Sequence, residues 1–481
     1  VPTQNNTRKN GARPCLKIAL FLALAACTLT AYGIDFDAGE VKSPYLREAV
    51  FDLYQEKYSS AIGVLQAEKR RNSLGLERTT ANRLLALTYI AYRMPNEAAA
   101  VLKSVSNGQL EPTVRNSLWL DIAKTRFRTG FITGANDALA KMDKKLDIKL
   151  LREKEVFQAQ LLVHQNQYKQ AIRILSDIDG FTSWAAFGRY NLGVALIKAG
   201  NKQEGLEWLD EVGSMTSTDQ EMRALSDRAN YVLGNIYLRD KNPQMARLRF
   251  ERIRLDSPFS TKALLGLGMA FADMDQYKRS LAAWLELSER NASEQAVLEA
   301  LLAIPFAYAE LGGKDQSLQF YKRSLNIYRA ESQKVNKLID STKTGKTIEA
   351  IITHISKNDV ESARLFDTLP DSPQIQYMLE LIKTDVFQQA LMNYRDLTIL
   401  ENKLKQWGST IYKINNMSPT FKKVYVDKIA QQQSRVVTAA EEIKQYITKI
   451  TLRALMQRKE QLDEYTKQAL FAMAQTYQRS H

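Results

Sequence analysis

From about residue 45 to residue 328 the apolar residues fall three and four apart in short stripes, and the stripes come in pairs joined by polar turns. That spacing puts apolar side chains on one face of an α-helix, so each pair predicts two short helices facing one another. The fullest copy runs Leu233-Gly234-x-x-Tyr237, then Ala246, Phe250 and Pro258, with Asp240-Lys241-Asn242-Pro243 as the turn. Small residues at 234 and 246 let the two helices approach, while Tyr237 and Phe250 fill the groove on either side. The next copy runs Leu267-Gly268-x-x-Phe271, then Tyr277, Ser280, Trp284 and Leu287. Aligned on the small residue of the second helix, the copies are anchored at Ala61, Ala98, Ala135, Ala171, Gly205, Ala246, Ser280 and Ser317, in steps of 37, 37, 36, 34, 41, 34 and 37 residues. A unit of that length cannot bury its apolar face alone, so a stack of neighbours must complete the core.

Other copies fill in the pattern. Trp119-x-x-Ile122-Ala123 is followed by Gly130, Ala135 and Leu139, and Leu192-Gly193-x-x-Leu196 by Gly200, Gly205 and Leu209. Leu85-Ala86-x-x-Tyr89 with Ala98 and Leu102 matches less fully. In order and spacing the chain resembles the tetratricopeptide repeat family. The resemblance implies an all-α, right-handed superhelical solenoid over residues 40–328 whose consensus positions are core. It also implies that function sits on a concave face lined by the first helix of each unit. By that geometry the groove residues are Lys124 and Arg128 in the third unit, Tyr190 and Lys198 in the fifth, and Arg228, Tyr231, Asn235 and Arg239 in the sixth. Arginine offers a two-pronged fork to carboxylates and tyrosine a rigid amphipathic surface, so an acidic or C-terminal peptide is the expected ligand.

After Leu325 the repeats stop. A helix is expected to run on to about Ser341, with short helices over 346–370 making 329–373 a connector. Residues 374–415 form a long amphipathic stretch, and Asn415-Asn416-Met417-Ser418-Pro419 breaks it. From Thr420 to about Gln478 there is neither Gly nor Pro. Ile429, Val436, Ile443 and Ile450 lie seven apart, with Ala439, Tyr446 and Arg453 at the intervening positions. This predicts a long antiparallel helical hairpin or coiled coil over 374–481, projecting from the solenoid in preference to folding back on it.

The first 33 residues read as an export address. Residues 1–17 are basic, Ile18 to Ala26 are apolar, and small residues follow. The apolar run is shorter than the roughly 20 residues a membrane span needs. Two processing points compete. Leu24-Ala25-Ala26-Cys27 looks like a lipobox, which would make Cys27 a lipidated N-terminus and supply a membrane anchor. By resemblance to enterobacterial lipoproteins, Thr28 after it favours the outer membrane. Ala31-Tyr32-Gly33 would instead release a soluble protein beginning at Ile34. The formal net charge of +14 falls to about +10 without this segment. That balance suits an anionic partner.

Candidate chemistry is sparse. Cys15 and Cys27 are the only cysteines and both lie in the leader, so the body has no disulfide framework and no thiol nucleophile. His164, His354 and His481 are far apart, and no metal or other cofactor is expected. Thr344-Gly345-Lys346-Thr347 imitates the end of a phosphate-binding loop, but Asp340 stands where the loop needs its first glycine. There is no aromatic-basic nucleic-acid motif. These observations exclude most catalytic classes. They predict a scaffold of the bacterial envelope that binds one or more envelope proteins within a multi-subunit machine. A periplasmic glycan- or peptidoglycan-associated cofactor of an enzyme acting in trans is the alternative.

Overall fold

The computed structural model describes residues 43–478 apart from 56, 72–76, 106–109, 179–182, 358–372, 383 and 414–417. The leader and Cys27 lie outside them. Among the described residues every regular element is a helix.

Eight helix pairs come first: α1 (Pro44–Tyr54) with α2 (Tyr58–Arg71), α3 (Arg78–Ala91) with α4 (Pro95–Ser104), α5 (Pro112–Arg128) with α6 (Ile132–Leu139), and α7 (Ile148–His164) with α8 (Tyr168–Ser176). They continue as α9 (Ser183–Ala199) with α10 (Lys202–Gly213), α11 (Gln220–Arg239) with α12 (Pro243–Glu251), α13 (Ser260–Ala272) with α14 (Tyr277–Ser288), and α15 (Gln295–Glu310) with α16 (Lys314–Lys343). This is the expected all-α tetratricopeptide-type superhelix. The anchor residues carry it: Ala61, Ala98, Ala135, Ala171, Ala246, Ser280 and Ser317 have no exposed surface, and Gly205 is buried too.

The turns repeat as faithfully as the cores. Arg93, Gly130, Asn166, Gly200, Lys241, Asp275 and Gly312 all have positive φ, between 57° and 99°. Each lies five residues before the anchor of its unit. A left-handed residue there reverses the chain so that the second helix starts in the same register every time. Glycine accepts this conformation freely, whereas Arg93 and Lys241 hold it against side-chain sterics.

Where helices must touch most closely, glycine replaces alanine. A methyl group on Gly193 of α9 would sit 2.8 Å from the carbonyl oxygen of Gly205, and one on Gly205 of α10 would sit 2.6 Å from that of Gly193. At Gly234 the space is taken by the Phe250 ring. These seams bring apolar surface together at near-crystalline density.

Beyond the repeats lie α17 (Lys346–Lys357), α18 (Pro373–Ile382), α19 (Asp385–Lys413) and α20 (Pro419–Gln478). The long stretch from 374 is two helices. Thr384 starts the second, its hydroxyl accepting from the Phe387 amide at 3.4 Å. α19 and α20 form the expected hairpin, but only part of it projects. Ile447, Leu455, Leu462 and Ala469 of α20 join one core with Leu298, Leu301 and Tyr328 of α15 and α16. Tyr465 stacks on Tyr328 at 5.9 Å and donates to Glu299 at 3.2 Å. The expectation of a wholly extended arm is therefore corrected: the proximal half folds back and covers the open apolar side of the last repeat, which an uncapped stack would leave exposed.

The seam of α20 also differs from the expected one. Val436, Ala440 and Ile447 are buried, whereas Tyr446 is 46% exposed. The intervening position falls four residues after Val436, not three, because the helix must meet α19 on one side and α16 on the other.

The same hairpin reaches the other end of the solenoid. Arg93, in the turn between α3 and α4, donates from Nη2 to Gln388 Oε1 at 2.7 Å. Gln389 Nε2 donates to the Arg93 carbonyl at 2.9 Å. Met392 enters the core of the first four units. The C-terminal helices thus touch both the second repeat and the last one.

Candidate functional site

Successive first helices approach one another all along the stack, α1 to α3, α3 to α5 and so on to α15. Successive second helices make no comparable approach. The first helices therefore line the inner side of the curve, and their non-consensus residues form the candidate surface.

The structure sorts the eight expected groove residues into three kinds. Some are consumed by packing. Tyr190 is buried, Tyr231 stacks on Phe259 at 5.6 Å, and Asn235 donates to the Tyr231 carbonyl within its own helix at 2.7 Å. Tyr190 is thus buried, and Tyr231 and Asn235 are only partly exposed. Lys124 is spent on its neighbours. It pairs with Glu153 of α7 and lies 5.8 Å from the Trp184 ring of α9, bridging three successive first helices. The third kind stays accessible: Arg128, Lys198, Arg228 and Arg239 are exposed, and Arg128 also bonds to Thr125 Oγ1 at 3.4 Å.

Arg228 is the best-held of the accessible cations. Its guanidinium carbon lies 5.1 Å from the centroid of the Tyr190 ring. The Tyr190 hydroxyl also accepts a hydrogen bond from Arg228, and the two contacts hold the guanidinium while Arg228 stays exposed. Burial pushes the Tyr190 hydroxyl upward, while Arg228 opposes that shift. Sequence reasoning named both residues; the structure buries Tyr190 beneath Arg228.

Sequence reasoning missed Asp121. This half-buried carboxyl lies one turn before Lys124, Thr125 donating to its carbonyl oxygen at 2.8 Å. Burial pushes it up to about 7, Lys124 working against that and Glu153 with it. An aspartate in a repeat helix carries no signal by itself; only the folded neighbourhood distinguishes it.

His164 is exposed and sits edge-on to Phe127 at 5.5 Å. In the Thr344-Gly345-Lys346-Thr347 segment the first two residues are the turn after α16, with Gly345 at φ 76°, and the last two begin α17, Thr347 Oγ1 bonding to Ser341 Oγ at 2.7 Å. A shallow cleft of about 820 Å³ opens beside it, lined by Lys343, Gly345, Lys444, Lys449 and Arg453 among others. Among the described residues no three His, Cys, Asp or Glu side chains converge to hold a metal, and no helix is long and apolar enough to cross a membrane.

No family profile and no curated protein matches this sequence. Solved structures of similar fold include MamA from Desulfovibrio magneticus RS-1, 17% identical, covering 37% of this chain and 96% of that one with a TM-score of 0.30. They also include the apo form of RapI, 12% identical over 70% of this chain and 98% of that one, TM-score 0.42. A third is the TPR domain of P58(IPK), 16% identical over 64% and 91%, TM-score 0.21. With every TM-score this low, the fold is best described by the chain's own eight helix pairs.

Proposed function

We propose that this chain is a non-enzymatic protein–protein interaction scaffold of a bacterial cell envelope, its repeats gripping an acidic segment of an envelope-complex component. One observation carries the groove reading: Arg228 is seated on Tyr190 and exposed, with Lys198 and Arg239 exposed on the same first helices. Consensus positions are used up in packing, so the ligand must be read by residues of this kind. Each charge-assisted hydrogen bond to a carboxylate contributes about 1.5–3 kcal/mol.

A photocrosslinker placed at Arg239 tests the groove, with Lys103 on the second helix of another unit as control. A partner captured at 239 and lost with Arg228→Ala supports the reading. Equal capture at both positions removes it.

The envelope part rests on the leader. Lipidation at Cys27 would give the scaffold a lipid anchor, and cleavage after Gly33 would leave it soluble. Mass spectrometry of the mature N-terminus separates lipid-bearing Cys27 from free Ile34. An unprocessed chain in the cytoplasm would refute the envelope assignment.

A further inference from the structure

The hairpin of α19 and α20 has a docked half and a free half. Beyond Tyr394 and Ile443 no residue of either helix belongs to the cores that join the hairpin to the repeats. From there to the described ends of the two helices is about 25–35 Å at 1.5 Å per residue. Asp396, just past Tyr394, still bonds to Tyr92 of the second unit; beyond it the buried apolar side chains of this part are Leu404, Val436 and Ala440.

What they leave uncovered is aromatic and basic. Trp407 is 56% exposed, Phe421 63% and Tyr425 47%, beside exposed Val424 and Leu400. Gly408 lies level with Ile429, a methyl group on it reaching 3.8 Å from Ile429 Cγ2. From that register and 100° per residue, Leu400 and Trp407 fall on the same flank of the hairpin as Phe421 and Tyr425. Between Asn402 and Val437 the sequence has six lysines and one arginine against Asp427 alone. More than half of the excess positive charge of the body is therefore concentrated here. Lys403, Lys423, Lys428 and Arg435 are exposed.

We infer that the free end of the hairpin docks on an anionic phospholipid surface, Trp407, Phe421 and Tyr425 entering the interface while the lysines face headgroup phosphates. Tryptophan and tyrosine are favoured at the boundary between hydrocarbon and headgroup, and lysines beside them add attraction to anionic lipid. A second copy of the same tip would bring like charges together. The inference is independent of the groove reading.

The test uses the full chain and vesicles of phosphatidylglycerol and phosphatidylcholine with brominated acyl chains, which quench tryptophan only on contact. The expected result is quenching that Trp407→Phe removes, because Trp119, Trp184, Trp208 and Trp284 belong to the repeats. Lys423→Glu with Lys428→Glu, both exposed and outside the seam, raises the lipid needed for half-maximal quenching roughly twentyfold or more. The matching Lys→Arg pair leaves it unchanged, and added salt weakens it.

Three results would overturn the inference. One is vesicle binding without quenching at Trp407, which would assign lipid contact to the apolar run at 18–26. Another is equal quenching on phosphatidylcholine alone. The third is lipid-independent shielding of Trp407 that grows with protein concentration or on adding an acidic protein.

Discussion

The repeat block and the C-terminal hairpin are both made of helices packed in antiparallel pairs, yet they bury themselves differently. In the repeats the seam is made by small residues, Gly193 against Gly205 or Gly234 against Phe250, and every unit is finished by the next. In the hairpin the seam is a sparse line of Val436, Ala440 and Ile447. It is finished by α15 and α16 along the proximal half and faces α19 along the distal half. The difference shows that a helix's own sequence pattern fixes which face is apolar, while the fold decides whether that face finds a partner. The repeats satisfy their pattern locally. The hairpin does so at long range, and only halfway.

Changes at the joint between the two regions should cost most. Tyr328 has no exposed surface, donates to the Leu298 carbonyl at 2.8 Å and stacks on Tyr465. Tyr328→Ala is expected to cost about 3–5 kcal/mol and to release α20 for proteolysis while α1–α14 stay folded. Protease sites confined to the repeats would break the comparison.

Within the repeats, Gly193→Ala forces a methyl group into the backbone of α10, an overpacking cost of about 1–3 kcal/mol in the denaturant midpoint. Unchanged stability would mean the glycine seam is looser than described. Asp121 supplies a pH-dependent test. Its folded pKa of about 7 lies above the ordinary aspartate value of 3.8, so the folded state holds its proton more tightly than the unfolded one. Its contribution is fully present below about pH 4 and is lost as pH rises through about 7. Asp121→Asn should therefore flatten the stability profile between pH 5 and 8 and gain about 1–2 kcal/mol at the alkaline end, less than the whole shift because part of the group is solvated. A parallel profile in wild type and variant would contradict this.

Lys241→Gly relieves a left-handed turn and should stabilise by about 1 kcal/mol, seen as a higher melting temperature; a loss would mean the lysine stem is packed. At the free end of the hairpin, Tyr425→Ala should change stability by less than about 0.5 kcal/mol. A larger loss would show that the distal flank is covered within the chain.

Much of the fold was legible because a solenoid writes its packing into a local code. The anchor residues and the polar turns follow from period and residue size alone, and the structure keeps that register through all eight units. The folding back of α20 was not legible, since Leu455, Leu462 and Ala469 show the same stripe whether they face α16 or a free partner helix. Thr384-Asp385 is a readable helix start, but it lies inside a longer amphipathic pattern that hides the break. The residues expected in the groove do lie on first helices of their units. The sequence could not tell a buried Tyr190 from an exposed one, because that depends on which neighbour lies above it.

The most direct test of one hairpin in two environments is hydrogen–deuterium exchange along α20. Slow exchange over residues 443–473 and markedly faster exchange over 419–440 is the predicted profile, the first set by burial against α15 and α16, the second by contact with α19 alone. Equal protection along the whole helix, or fast exchange over 443–473, would contradict the docked and free halves.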